Sequence, residues 1–237
     1  MEEHTEPGES PGRAMRIAVV VLVAASGAVE TISFTALDHV FAGVMTSNLA
    51  LLGMAIGHGG GTGVASALLA LAGFGAGAGL VAWVTHGRTG VATHWPPRVM
   101  FCLIGEAVLL AVGAGFWAAS GGAPAAVARD VLQCGAAVAM GGQAAAMVAA
   151  GRAAAPTTYL TGTLATYIVR GAGRARPDGW VPARLGALIA GAAAAMALRK
   201  AAPSWAGALP FVLVAAATLI AARPLFLHRS AAAARRT

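Results

Sequence analysis

The chain has 237 residues, of which 58% are hydrophobic and 11% charged, with a formal net charge of +7 and a mean hydropathy of +0.73. Soluble globular domains carry about 25% charged residues, so this chain lacks the charge to cover a water-facing surface. A water-soluble enzyme is excluded, and so is a disordered chain, which needs low hydrophobicity and high charge. What remains is an all-α, polytopic membrane protein.

Residues 1–14 are acidic, contain Pro and Gly and lack apolar periodicity, so they read as a disordered tail. The first apolar run is 16–37. A cleaved signal peptide is the competing reading, but the run continues past the small-residue stretch where cleavage would fall. Further full-length runs are 64–85, 98–119, 127–150, 182–198 and 205–222, which makes six expected spans. Two shorter runs, 42–57 and 157–170, are short for a crossing and suit re-entrant or broken helices. Each holds a polar cluster: Thr46, Ser47 and Asn48 in the first, and Thr157, Thr158, Thr161 and Thr163 in the second. The glycine-rich stretch 57–63 is a flexible turn. A phosphate cradle there would need a preceding strand and a following Lys or Arg. Residues 223–237 form a basic tail.

The order span, short polar segment, span, span occurs twice, over about 15–119 and 126–222. Glu30 precedes Thr46 in the first unit much as Gln143 precedes Thr161 in the second. If the short segments re-enter, each unit has three crossings and the two pseudo-symmetric units are inverted. Charge supports that choice. With both termini cytoplasmic, every basic residue except Arg129, Arg199 and Lys200 falls inside. Eight crossings would instead put five basic residues outside, Arg88, Arg98 and Arg152 among them.

Two acids lie inside spans, Glu30 and Glu106. A charge at the bilayer centre costs about 2.5–3.5 kcal/mol even on permissive scales, so both are candidates for function. Glu30 suits proton or cation coupling; the plain alternative for either acid is a neutral, hydrogen-bonded packing residue. Glu106 is the weaker candidate, because Glu30 has the polar Gln143 as its repeat partner. The Thr-Ser-Asn and Thr-Gly-Thr clusters would cap broken helices and present oxygens to a solute. Ordinary capping and interhelical bonding explain them equally well. The expected site is therefore Glu30, Thr46, Asn48, Gln143, Thr161 and Thr163. Gly73, Gly75, Gly77 and Gly79 read as helix packing, and the five Trp at span ends as an interfacial belt. Cys102 and Cys134 read as small buried hydrophobes. No metal, cofactor or catalytic set is expected, and the scattered basic residues do not suit nucleic acid.

The stretch Gly27-Ala28-Val29-Glu30-Thr31-Ile32-Ser33-Phe34, followed by Val44-Met45-Thr46-Ser47-Asn48-Leu49, resembles the YoaK family of bacterial membrane proteins (domain of unknown function 1275). Gly142-Gln143-Ala144 and Thr157-Thr158-Tyr159-Leu160-Thr161-Gly162-Thr163 extend the resemblance, which covers about 15–222. Glu30 stands where that family has Asp, and Ser47 where it has Gly. The resemblance implies a six-span multipass protein of the plasma membrane and carries no established substrate. The expectation is thus a non-enzymatic transporter or channel for an unknown small solute or ion, with the lipid bilayer as its partner. A non-transporting scaffold or assembly partner is the alternative.

Overall fold

The computed structural model describes residues 12–87, 95–151, 154–158, 160–172 and 178–234. Among these residues eight α-helices appear in the order α1 (Arg13–Ala36), α2 (Met45–Gly57), α3 (Thr62–Thr85), α4 (Pro97–Ala119), α5 (Ala126–Ala150), α6 (Thr161–Ala172), α7 (Trp180–Ala201) and α8 (Ala208–Ala234). A single 3-10 turn at Pro203–Trp205 precedes α8. Among the described residues, six helices are long and apolar enough to cross a membrane; α2 and α6 are not among them. The chain is all-α among the described residues. The expected spans coincide with α1, α3, α4, α5, α7 and α8. Helix α1 begins at Arg13, inside the expected tail, and α8 continues beyond 222 to Ala234. The added length of α8 includes Ser230-Ala231-Ala232-Ala233-Ala234, in which Ala is the strongest helix former.

One face of α4 carries Phe101, Ile104, Val108, Val112 and Phe116, all exposed and spaced three to four residues apart. An apolar stripe of that length suits lipid rather than water. Inside, lipid offers no hydrophobic drive, so helices associate by close van der Waals approach through small residues. Two pairs show this. A Cβ on Gly27 of α1 would lie 2.2 Å from the Leu188 carbonyl of α7, and one on Gly191 of α7 would lie 1.9 Å from the Ala24 carbonyl of α1. A Cβ on Gly77 of α3 would lie 2.0 Å from the Val138 carbonyl of α5, and one on Gly141 of α5 would lie 2.1 Å from the Phe74 carbonyl of α3. Gly75 and Gly79 meet nothing.

Two core clusters fix the helix directions. The first joins Met15, Leu22 and Ala25 near the start of α1 to Val99 and Leu103 near the start of α4, and to Met147 and Ala150 at the end of α5. The second joins Ile32 and Leu37 at the other end of α1 to Trp117 near the end of α4, with Leu132 of α5 and Leu209 of α8 packed against it. Helix α7 runs with α1, because Arg16 covers the Trp180 ring at one end and Arg199 meets Thr35 at the other. Helix α3 runs with α5, since Gly73 meets Cys134, Gly77 meets Val138 and Val81 meets Gly142. So α1, α4 and α7 run one way and α3, α5 and α8 the other. The chain leaves α1 and starts α3 at one end of the bundle, and leaves α5 and starts α7 at the opposite end. Helices α2 and α6 therefore do not change sides: each belongs to a segment that dips in and returns, and the two dip from opposite ends.

The tryptophan expectation needs correction. Trp83 and Trp205 are 77% and 69% exposed at helix ends, which suits an interfacial belt, but Trp95 and Trp117 are each 2% exposed. Trp117 donates its Nε1–H to the Pro203 carbonyl at 2.7 Å. It is a packing residue that anchors the turn before α8, because a buried indole N–H needs a partner.

Candidate functional site

The first re-entrant segment turns back immediately after α1. Leu37 ends the helix, and His39 takes the left-handed conformation (φ 56°). The Ser33 hydroxyl donates to the Val40 carbonyl at 2.6 Å, which draws the chain back along α1. The Glu30 carboxylate then accepts the backbone N–H groups of Ala42 and Gly43 at 3.0 and 2.6 Å. Glu30 lies six residues, about 9 Å, inside the end of α1, so this loop reaches that depth before α2 starts at Met45. Asn48 is fully buried and holds the loop from its other side. Its Oδ1 accepts the Phe41 N–H at 2.8 Å, and its Nδ2 donates to the Phe41 carbonyl at 2.7 Å. Helix α2 then returns along α3: Leu51 and Leu52 pack near Ala67 and Ala70, and Ala55 lies beside Gly63.

The second segment is fastened by an amide instead of a carboxylate. Gln143, also fully buried, donates its Nε2–H groups to Thr157 Oγ1 at 2.7 Å and to Ser26 Oγ at 3.0 Å. Gln143 lies seven residues inside the end of α5, at the level of the middle of α1. Helix α6 starts four residues after Thr157, so both short helices begin deep in the bundle.

A cavity of about 840 Å3 lies between the two tips. One face of α1 supplies Gly27, Glu30, Thr31, Phe34 and Thr35 to its wall. The first tip adds Gly43, Val44, Met45 and Thr46, and the second adds Thr158, Leu160, Thr161 and Gly162. Phe74 of α3 and Leu188 and Ala192 of α7 complete it, each near the middle of its helix. The N-termini of α2 and α6 both open onto this space. The first N–H groups of a helix lack intrahelical partners and carry partial positive charge. At the edge, Arg199 Nη1 donates to Thr35 Oγ1 at 2.5 Å. Outside the helices nearby, the Asp38 carboxyl is pushed above its ordinary value by burial first and by neighbouring Asp130 second. Arg129, 3.7 Å away, acts in the opposite direction.

Three of the expected site residues meet at the cavity: Glu30, Thr46 and Thr161. Asn48 and Gln143 do not line it. They fasten the two re-entrant segments, and α2 has no side-chain cap. Thr163 and Glu106 also lie off the cavity wall. Glu106 is buried in α4, and neither carboxyl oxygen has a hydrogen-bond partner among the described residues. Sequence reasoning missed Thr31, Thr35, Phe34 and Phe41 as lining residues. The helical spacing of Gly27, Glu30, Thr31, Phe34 and Thr35 would have placed them on one face of α1.

The family described as "Protein of unknown function (DUF1275)" matches residues 18–220. The chain is 35% identical over 156 residues to the UPF0700 transmembrane protein YoaK of Bacillus subtilis (strain 168), a match that spans 65% of this chain and 66% of that protein. No solved structure matches.

Proposed function

We propose that this chain, which belongs to the DUF1275 (YoaK) family, carries a small solute across the plasma membrane through the cavity between its two re-entrant tips. One observation carries the reading: two short helices that enter the bundle from opposite ends begin at one cavity, near the middle of α1, α3 and α7. Irregular backbone at membrane depth is tolerated only where it is buried or lines a cavity. Transporters built from inverted repeats place their solute sites at such paired breaks.

The two halves are read as inverted repeats on their packing. Under an exchange of halves, α1 against α7 becomes α5 against α3. The glycines at the two crossings obey that exchange, because Gly141 follows Gly27 by as many residues as Gly191 follows Gly77. The basic residues orient the bundle, with both termini cytoplasmic and Arg129, Arg199 and Lys200 external. In this reading Glu30 shapes the first tip by accepting the Ala42 and Gly43 N–H groups and forms part of the cavity wall.

The test is thiol access to the cavity in a background where Cys102 and Cys134 are replaced. Thr46→Cys should react with a small membrane-impermeant reagent in sealed vesicles, and the modification should stop solute movement. A buried, unreactive Thr46→Cys in folded protein would favour the scaffold reading instead.

A further inference from the structure

We infer that the cavity binds an organic anion, with its carboxylate on the N-terminus of α6 and its apolar body against the phenylalanines of the wall. The inference rests on the solute-carrying reading above and names the solute class.

The two tips differ in one respect. At the first, the protein supplies its own anion: the Glu30 carboxylate accepts the N–H groups of Ala42 and Gly43. At the second, the fastening residue is Gln143, a neutral amide that donates to Thr157. Among the described residues of the cavity wall, no carboxylate other than Glu30 is present to meet the start of α6. The protein's own negative charge thus lies beside the start of α2, so the α6 N-terminus is the positive end that a ligand anion would meet.

A second observation points to the same spot. Thr158 is 7% exposed and lines the cavity beside Leu160 and Thr161, and its Oγ1 has no hydrogen-bond partner among the described residues. A buried hydroxyl without a partner is costly, and an anionic oxygen at the start of α6 would accept from it. Thr157, its neighbour, is already engaged by Gln143. The Arg199 guanidinium on Thr35 adds a cation at the edge of the same space.

The wall also limits the size and shape of the occupant. The volume, about 840 Å3, is far more than a bare inorganic ion needs and lies in the range of small-molecule sites. Phe34 and Phe41 stack with centroids 4.7 Å apart and an interplanar angle of 17°, and Phe74 lies on the same wall. An apolar body would cover these rings while its charged end sits on α6. A cationic solute would instead face two helix N-termini and a carboxylate whose oxygens already accept two N–H groups.

Benzoate, benzamide and benzylammonium share one ring and differ in charge, so calorimetric titration of the full chain in detergent with each of them tests the inference. Benzoate should bind at least about tenfold more tightly than benzamide, with benzylammonium weakest. Thr158→Val should weaken benzoate about tenfold or more while changing benzamide less, because a hydrogen bond to a charged group is the stronger one. Thr158→Ser should restore benzoate binding, which a merely structural role for the threonine methyl would not predict. Equal affinity for benzoate and benzamide, a preference for benzylammonium, absence of benzoate binding, or an unchanged benzoate affinity in folded Thr158→Val would each overturn the anion assignment. Labelling of Thr46→Cys reports separately on the open cavity, so the solute-carrying reading can stand when the anion assignment falls.

Discussion

At the scale of single residues, the polar groups inside this bundle divide into those that fasten and those that face the cavity. Asn48 belongs to the first kind. Both ends of its amide are engaged by the Phe41 backbone, and removing them leaves two under-satisfied groups: the Phe41 N–H loses its acceptor, and the carbonyl keeps only Gln133 Nε2 at 3.5 Å. Each such group costs about 1–3 kcal/mol. Asn48→Ala should therefore lower the thermal midpoint in detergent by several degrees, and retained stability would show that water replaces the amide. That Thr, Asn, Gln and Glu matter in a chain with 11% charge was legible from composition and position. Which of them face the cavity was not. Asn48 is helical, but its partner Phe41 lies in the irregular stretch 37–44, whose path no periodicity predicts. The split between Thr157 and Thr158 depends on Gln143, which is distant in sequence. Glu30 stands out in the sequence as an acid inside a span, but its partners are the backbone of its own re-entrant loop, and spacing alone does not reveal them.

At the scale of elements, the helices were readable because six apolar runs of sufficient length leave little choice in lipid. The two short helices were readable from length alone, although the expected runs 42–57 and 157–170 began before the helices at Met45 and Thr161. Those extra residues are the descending limbs, held by Glu30 and Gln143. The glycines show where pattern falls short. Gly73, Gly75, Gly77 and Gly79 give equivalent spacings in sequence, yet only Gly73 and Gly77 lie against α5. Close packing depends on which face turns inward, and a span that is apolar all round does not announce it. Gly191→Ala should force α7 away from Ala24 and cost about 1–3 kcal/mol as an overpacked core does. Gly75→Ala should be neutral or slightly stabilising, since Ala is the better helix former and nothing lies in its way. Thermal unfolding of the two variants side by side checks this, and equal effects would contradict the assigned α1–α7 contact. If the halves are repeats, the glycine register pairs Glu30 with Ala144, one residue from Gln143. The two fasteners then reach their tips from adjacent positions.

At the scale of the whole molecule, helix direction decides where the short segments lie. Helices α1 and α4 run the same way, which follows from the two core clusters, and that requires the α2 segment to return to the side it left. The charge pattern favours the same arrangement, and the orientation proposed from it puts both termini on the cytoplasmic side. The most direct test is the sidedness of two single cysteines in sealed, oriented vesicles with Cys102 and Cys134 replaced. His58→Cys, in the exposed turn after α2, and Gly179→Cys, at the open start of α7, leave the packing untouched. Labelling with an impermeant thiol reagent should mark His58→Cys from the external face only and Gly179→Cys from the cytoplasmic face only. Labelling of both from the same face would mean that the segments do not enter from opposite sides, and the shared cavity between their tips would lose its basis.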